Sequence, residues 1–305
     1  MNSVPAMLHF TPPEAFLPFA EAAQQEPSLR HQTFRWLRDF IYQLSGIYIP
    51  EHRYYFLKAR LLRRLEALGV CPFEEYCDLI GSSSPLAVKE RQELLNSVIL
   101  TDTQFFRSPE QFVALARYVL PELAGKRRHL RLWSAGCAIG EEAYSLAMVV
   151  ASQRETVLSA HSVEVLATDL SSEAIAKAQA GRYLHLHGLP EEYRGFVSTC
   201  HEGYEVVPAV RSLVRFSVQN LLDSVSVRSM APVDVLFCRN VLLYFAPEVR
   251  RRVAAMLVEV LRPGGYLFLG AAETLSELVE GQLQLVRFSG TLAYRKLQDD
   301  YVPAR

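Results

Sequence analysis

Residues 133–148 read WSAGCAIGEEAYSLAM. The apolar run before the glycines, from Leu130 to Ala135, is typical of a buried strand, and the stretch from Glu141 to Val150 has the spacing of a helix. Gly136 and Gly140 therefore lie where a strand turns into a helix. In doubly wound α/β folds, such a turn lets the backbone approach a ligand, and the following helix offers free N–H groups. The spacing alone fits either a ligand site or a simple tight connection.

After Leu130 the sequence alternates short apolar segments with helical ones. Helices are predicted from Ser171 to Ala180, with Ser171 as the N-cap, and from Pro247 to Leu261, where residues 262–265 end the helix. This alternation predicts an α/β fold with a mostly parallel, Rossmann-like sheet covered by helices on both faces. The predicted strands are residues 130–135, 163–168, 214–218, 233–238, 266–271, 285–288 and 292–296, the last two as an antiparallel hairpin.

The chain before the sheet has a different pattern. Helical periodicity without strand-like alternation predicts a small all-α domain over residues 31–108. Repeated prolines predict that residues 1–30 form an N-terminal extension. We expect a linker and connecting helix at 109–129, the sheet-bearing domain at 130–305, and a small insertion at about 182–213, where the alternation breaks down.

The composition excludes several classes of protein. Half of the 305 residues are hydrophobic, enough for a substantial core, and the formal net charge of −1 argues against nucleic acid as the partner. The five cysteines form neither a CxxC nor a cluster with zinc spacing, so no metal site or disulfide framework is indicated. No signal peptide or long apolar span is recognisable. We expect a cytoplasmic monomer that does not insert into membranes.

Polar residues at the ends of the predicted strands indicate the ligand. Asp169 ends the second strand, where a carboxylate can accept both hydroxyls of a ribose; the less favoured alternative is that it only caps the following helix. The acids after the glycine turn, including Glu142, would repel a pyrophosphate. A ligand with a ribose and a positive charge, such as S-adenosylmethionine, suits these acids better. Arg239, Asn240 and Tyr244 follow the fourth strand and would emerge at the same edge of the sheet.

Several linked stretches together resemble the CheR-type chemotaxis receptor methyltransferases, which methylate receptor glutamates. The resemblance covers residues 34–296, and the order and spacing of its stretches make it specific. It implies a class I methyltransferase sheet, S-adenosylmethionine as cofactor with S-adenosylhomocysteine as product, and a β-subdomain in the insertion. The stretches are Ile41–Ile47, Ala59–Leu65, Thr103–Arg107, Trp133–Glu142, Ala167–Asp169, Asn220–Leu222, Cys238–Val241, Tyr244–Phe245 and Leu261–Gly265.

The resemblance also implies roles for individual residues. Arg107 and Tyr244 would act at the reacting centre and orient the substrate carboxylate. Ile139 and Ala143 stand where the family often has threonine and proline, which changes packing more than chemistry. The implied cofactor-binding residues are Thr101, where the family often has asparagine or glycine, together with Thr103, Arg107, Gly136, Glu142, Asp169, Asn220, Leu221, Arg239 and Asn240.

The partner implied by the resemblance is the cytoplasmic helical region of a chemoreceptor. Four arginines of the second predicted helix would dock on it, although such a stripe is also typical of a solvated helix face. The insertion lacks the Gly-x-Gly loop with which some members grip a receptor C-terminal peptide, so we expect no such tether. A small-molecule methyltransferase and a non-catalytic cofactor-binding module remain as alternatives. The four arginines are Arg53, Arg60, Arg63 and Arg64.

Overall fold

The structure, a computed structural model, describes residues 27–275 and 281–297. The predicted extension, residues 1–30, lies outside the described residues except for its last four positions. Within the described part of the chain, no helix is long and apolar enough to cross a membrane.

Four helices form the N-terminal all-α domain. Apolar residues spaced three or four apart, such as Phe34, Leu37 and Ile41, put one face of each helix into a shared core. Ser84 caps the fourth helix by accepting a hydrogen bond from the N–H of Ala87. The helices are α1 (His31–Ser45), α2 (Tyr54–Leu68), α3 (Phe73–Gly81) and α4 (Pro85–Val98).

A mostly parallel seven-stranded sheet forms the second domain, and the predicted fold class is confirmed. Its strand order is β6-β2-β1-β7-β8-β10-β9, and β10 runs antiparallel to both of its neighbours. The C-terminal hairpin is therefore present. The strands of this sheet are β1 (His129–Ala135), β2 (Ser162–Asp169), β6 (Val214–Val218), β7 (Val233–Cys238), β8 (Leu261–Leu269), β9 (Leu283–Phe288) and β10 (Thr291–Lys296).

Helices cover both faces of this sheet because its strands are apolar on both sides. Leu132 packs into the core on one face, and its neighbour Trp133 packs into the core on the other. A helix interrupted by a π-helical turn at Leu115–Val119 joins the two domains. The helices after α4 are α5 (Pro109–Ala114), α6 (Leu120–Ala124), α7 (Glu141–Ser152), α8 (Ser172–Ala180), α9 (Pro208–Arg211), α10 (Ser224–Ser229) and α11 (Pro247–Val260).

The structure differs from the sequence prediction at the start of β8. The helix before these residues ends at Val260, as predicted within one residue, but the strand begins at Leu261 and not at the predicted residue 266, so residues 262–265 belong to the strand. The pairing with β7 jumps from Leu261 to Tyr266, so the intervening residues form a bulge. A Pro-Gly-Gly sequence is compatible both with a loop after a helix and with a bulge inside a strand, and the sequence alone did not indicate the bulge.

A second, three-stranded sheet occupies the insertion and confirms the β-subdomain of the predicted fold. Its strand order is β3-β5-β4, all antiparallel. Tyr183 of this sheet donates a hydrogen bond to the carbonyl of Ile139, which ties the subdomain to the glycine turn. The strands are β3 (Arg182–Tyr183), β4 (Val197–Cys200) and β5 (Gly203–Val206).

Candidate functional site

A cavity lies between the two domains, at the carboxyl ends of β1, β2 and β7. Ser45 and Ile47 line it from the helical domain. Leu100 lines it from residues 99–108, the linker between α4 and α5. Most of the predicted site residues also line it, although they come from five separate segments of the chain. These residues are Thr103, Arg107, Gly136, Glu142, Asp169, Asn220, Leu221, Arg239, Asn240 and Tyr244.

Asp169 is the last residue of β2, and its carboxylate is held by the backbone. Its Oδ2 accepts a hydrogen bond from the N–H of Ala138 at 2.9 Å, and its Oδ1 accepts one from the N–H of Ser171 at 2.8 Å. Burial raises the pKa of this carboxyl, against the effect of those hydrogen bonds. Asp169 thus supports Ser171, the N-cap residue of α8, while it lines the cavity, so the structural role and a ligand role are compatible.

Glu142 and Arg239 form a buried ion pair at the cavity. The Nη1 of Arg239 lies 3.3 Å from the Oε2 of Glu142, and Ser134 donates a hydrogen bond to the Oε1 at 2.7 Å. Burial raises the pKa of the Glu142 carboxyl and lowers the pKa of the Arg239 guanidinium. A second guanidinium N–H of Arg239 donates to the backbone carbonyl of Arg107. The pair thus connects the cavity floor to the linker that carries Arg107.

The glycine turn brings the backbone close to the residues after β7. A Cβ at Gly136 would lie 2.3 Å from Cγ2 of Val241, and Gly136 has a φ of +82°. The N–H groups of Gly136 and Cys137 both donate to the carbonyl of Thr168, which fixes the turn against the end of β2. Only glycine fits here.

Arg107 and Tyr244 enter the same cavity from different segments. The Arg107 side chain is 38% exposed and lies 3.7 Å from the exposed carboxylate of Asp102, a cavity residue that the sequence reasoning missed. Tyr244 is half-buried, and its carbonyl accepts a hydrogen bond from the N–H of Tyr48 in the helical domain. A partly exposed guanidinium and a phenol that line the same cavity can both donate hydrogen bonds to a carboxylate.

Strained backbone is concentrated around this cavity. Four described non-glycine residues have positive φ angles, and each lies in a segment that forms the cavity wall. Such conformations cost free energy and cluster at functional sites, where the surrounding structure enforces them. The residues and angles are Phe106 (50°), Ser108 (57°), Ala138 (47°) and Asn240 (58°).

Two side chains after β6 define the far end of the cavity. Asn220 donates to the carbonyl of Leu44 at 2.7 Å and accepts from the N–H of Leu222, so it also bridges the two domains. Gln219, which the sequence reasoning missed, is buried, and its Oε1 has no hydrogen-bond partner among the described residues. Gln219 therefore has an unused side-chain acceptor beside the cavity.

Some of the predicted site residues lie elsewhere. Thr101 is not part of the cavity lining, whereas its neighbours Leu100 and Asp102 are. Arg64 on α2 forms a 2.6 Å ion pair with Glu90, whose side chain is only 3% exposed and also accepts a hydrogen bond from Tyr76. Thr101 and Arg64 are therefore left out of the roles proposed below.

The cavity suits S-adenosylmethionine chemically. Two carboxylates, Asp169 and Glu142, line it, and the amide of Gln219 belongs to the same lining. Acceptors of this kind favour ribose hydroxyls, an amino group and a sulfonium, and they disfavour phosphate. The fold and the site together define a class I, S-adenosylmethionine-dependent methyltransferase.

Comparison with known proteins identifies the family. Residues 101–289 match the family model "CheR methyltransferase, SAM binding domain", and residues 32–99 match "CheR methyltransferase, all-alpha domain". The chain therefore belongs to the CheR methyltransferase family. It is an enzyme that uses S-adenosylmethionine, and neither the small-molecule alternative nor the non-catalytic one is favoured.

Curated relatives resemble the chain over most of its length. "Chemotaxis protein methyltransferase 1" of Pseudomonas aeruginosa is 35% identical over 277 residues, which cover 88% of this chain and 99% of the relative. "Chemotaxis protein methyltransferase" of Escherichia coli is 34% identical over 254 residues, covering 80% and 85% respectively. The corresponding protein of Vibrio parahaemolyticus is 32% identical over 276 residues, covering 88% and 98%.

Proposed function

We propose that this protein methylates glutamate side chains in the cytoplasmic helical region of a chemoreceptor. The observation that carries the proposal is the position of Arg107 and Tyr244, which share one cavity with the carboxylates of Glu142 and Asp169. A site for an incoming carboxylate is thereby combined with a site for a cationic cofactor. Membership of the CheR family and the chemotaxis names of the relatives support the substrate class.

The cofactor would be held at both of its ends. We assign Asp169 to the ribose hydroxyls, because it ends β2 at the cavity wall, and Glu142 with Arg239 to the amino acid moiety. Asn220 and Leu221 would flank the adenine at the far end. Thr103 and Asn240 would complete the enclosure from the linker and from the segment after β7.

The substrate needs no general base. A glutamate carboxylate, with an ordinary pKa of about 4.3, is already ionised near neutral pH. When bound, S-adenosylmethionine supplies an electrophilic methyl group on its sulfonium. Transfer of that methyl group to the carboxylate oxygen would break the carbon–sulfur bond and give a neutral ester and a neutral thioether. The protein must therefore desolvate and align the carboxylate, and we assign that alignment to Arg107 and Tyr244.

The helical domain offers a surface for the receptor. The guanidinium groups of Arg53, directly before α2, and Arg60, on α2, lie 5.6 and 5.3 Å from the ring centroid of Phe56, so both contact the same ring. A groove runs from Tyr244 to Arg53, and Arg63 is exposed on the same helix. We assign these three arginines to docking on an acidic receptor helix, which would make binding sensitive to salt. The β4–β5 hairpin is short, and we propose no tether peptide for it.

The test is methyl transfer from labelled S-adenosylmethionine to membranes that contain the host's receptors. Label on a receptor-sized band, released by base as volatile methanol, is the expected result. Arg107→Ala should reduce transfer by about 100-fold at saturating cofactor, because orientation is lost. Arg117→Ala, at an exposed arginine on the connecting helix, is the control and should behave as wild type.

Two outcomes would overturn the proposal. Absence of base-labile label, despite cofactor binding in calorimetry, would exclude carboxyl methylation of these receptors. Equal loss in the Arg107 and Arg117 variants would remove Arg107 from the reacting centre.

A further inference from the structure

Three of the strained residues around the cavity share a second feature. Each donates its backbone N–H to a side-chain oxygen from a distant part of the chain, which helps to enforce its left-handed conformation. The pairs are Phe106 with Ser145 at 2.9 Å, Ala138 with Asp169 at 2.9 Å, and Asn240 with Glu273 at 2.8 Å. Asp169 already has a proposed role in the site. Glu273 has none.

Glu273 makes the most extensive of these contacts. Its Oε2 accepts from the N–H groups of Asn240 and Gly270, both at 2.8 Å. Its Oε1 accepts from the N–H groups of Val241 at 3.0 Å and Leu243 at 3.3 Å. Hydrogen bonds from N–H groups to a carboxylate are among the stronger ones in proteins. One side chain therefore fixes residues 240–243 against the end of β8.

The packing around the Glu273 carboxylate leaves no space for a side chain at residue 270. A Cβ at Gly270 would lie 2.8 Å from the Oε2 of Glu273 and 2.9 Å from the backbone nitrogen of Asn240. Glycine is therefore required at position 270, where the end of β8 meets Asn240. Glu273 lines a neighbouring cavity beside β9 and β10 and is not among the residues that line the cofactor cavity. It therefore reaches the backbone of residues 240–243 without lining the cofactor cavity itself.

We propose that Glu273 is a positioning residue for methyl transfer. It holds Asn240 in its left-handed conformation and thereby sets where Asn240 and Tyr244 face the reacting centre. The inference rests on the proposed function, because the role of Tyr244 does. Glu273 acts through these residues and does not touch the substrate or cofactor itself.

The central variant is Glu273→Gln in the full chain. Glutamine keeps the shape but turns an NH2 group toward two of the backbone N–H donors. We expect kcat at saturating cofactor and receptor to fall by about 30- to 100-fold, the scale of an ångström-sized misplacement. Affinity for S-adenosylhomocysteine, measured by calorimetry, should fall by about fivefold, since Asp169 still holds the ribose end. Glu110→Gln, at an exposed glutamate on α5 beside the same neighbouring cavity, should leave both quantities unchanged.

A double-mutant cycle separates positioning from a general loss of structure. If Glu273 acts through residues 240–244, Glu273→Gln should cost far less in a Tyr244→Phe background than in wild type. If the double variant instead lost kcat by the product of the two single losses, the two residues would act independently, and the proposal would be wrong. If Glu273→Gln fails to fold, Glu273→Asp keeps both carboxylate oxygens on a shorter arm. It should then show a reduced kcat with a nearly unchanged Tm, and a wild-type kcat would contradict the proposal.

Methyl transfer by the wild-type protein, together with the kcat and cofactor affinity of Glu273→Gln, distinguishes the proposed function from the positioning role of Glu273. If wild-type protein transfers no methyl group to receptors, but Glu273→Gln still weakens cofactor binding relative to Glu110→Gln, the proposed function fails and the positioning of residues 240–243 stands. If wild-type protein methylates receptors, and Glu273→Gln matches Glu110→Gln in kcat and affinity, the proposed function stands and the positioning role is wrong.

Discussion

The cofactor cavity and the basic face of α2 hold their functional side chains in opposite ways. In the cavity, Asp169, Glu142 and Arg239 are buried or nearly so, and each is fixed by hydrogen bonds before any ligand arrives. Arg53, directly before α2, and Arg63, on α2, are exposed to solvent. The cavity is thus preorganised for a small molecule of fixed shape, whereas the arginine face can adapt to the varied surface of a protein partner.

This difference predicts where substitutions are tolerated. Changes in the cavity should disturb folding and cofactor affinity together, because the same contacts serve both. Changes on the exposed face should alter receptor binding and leave stability intact. Each of the following experiments tests this division between the cavity and the exposed face of α2.

The largest effect is expected from Gly136→Ala. The new Cβ would lie 2.3 Å from Val241, and the residue would keep a φ of +82°. Overpacking and backbone strain together should lower the free energy of unfolding by about 2 to 3 kcal/mol. The displaced turn should weaken S-adenosylmethionine binding by ~30-fold or more, about 2 kcal/mol. Thermal unfolding and calorimetry measure the two effects.

Gly69→Ala is the matched control for that experiment. Gly69 also has a positive φ, +65°, but a Cβ there would meet nothing within 4 Å. It should therefore show the cost of backbone strain alone, about 1 kcal/mol, with unchanged cofactor affinity. Equal effects at the two glycines would mean that the close approach to Val241 does not matter.

The next largest effect should come from Arg64→Ala on α2. Removing Arg64 leaves the buried carboxylate of Glu90 without its cation. Breaking a fully buried pair costs about 3 to 5 kcal/mol, and because Arg64 retains some contact with solvent we expect about 2 kcal/mol. Cofactor affinity should not change. Denaturant unfolding measures the loss.

Its neighbour Arg63 provides the contrast. Arg63→Ala should leave the free energy of unfolding within about 0.5 kcal/mol of wild type. It should raise the KM for receptor about threefold at low salt, and this effect should disappear at high salt, where exposed charges are screened. A stability loss equal to that of Arg64→Ala would show that α2 does not separate structural from exposed arginines.

The contrast between these two arginines also shows how far the sequence could predict the site. Local patterns located the strands well, and β6 and β7 begin and end where the runs of apolar residues indicated. Most of the catalytic and cofactor-binding residues implied by the family motifs do line the cavity. Neither could distinguish Arg63 from Arg64, because the partner Glu90 lies 26 residues away and depends on how α2 packs on α4.

The same limit applies to the residues that support the site. Glu273 and Ser145 lie 33 and 39 residues from the backbone groups that they hold. Contacts over such distances follow from tertiary packing, which helical and strand periodicity do not encode. Gln219 could have been suspected, because it directly precedes the matched Asn220, but its unpaired oxygen is a property of the folded cavity.

The smallest effect is expected from pH and concerns Glu141, which is buried beside the glycine turn. Burial raises the pKa of its carboxyl from the ordinary 4.5 to about 7, against an interaction with Thr103, and the charge of Asp102 adds to the shift. Between those two pH values the folded state binds more protons than the unfolded state. This group therefore makes the protein less stable as pH rises from 4.5 to 7, and adds no further change above that range.

Glu141→Gln removes this contribution, because glutamine does not titrate. The Tm of the variant relative to wild type should rise progressively between pH 5 and pH 7 and then level off. Glu66→Gln, at an exposed position on α2, should follow the wild-type profile throughout, because a solvated carboxylate loses little hydration on folding. Parallel profiles for Glu141→Gln and wild type would mean that Glu141 stays ionised in the folded protein.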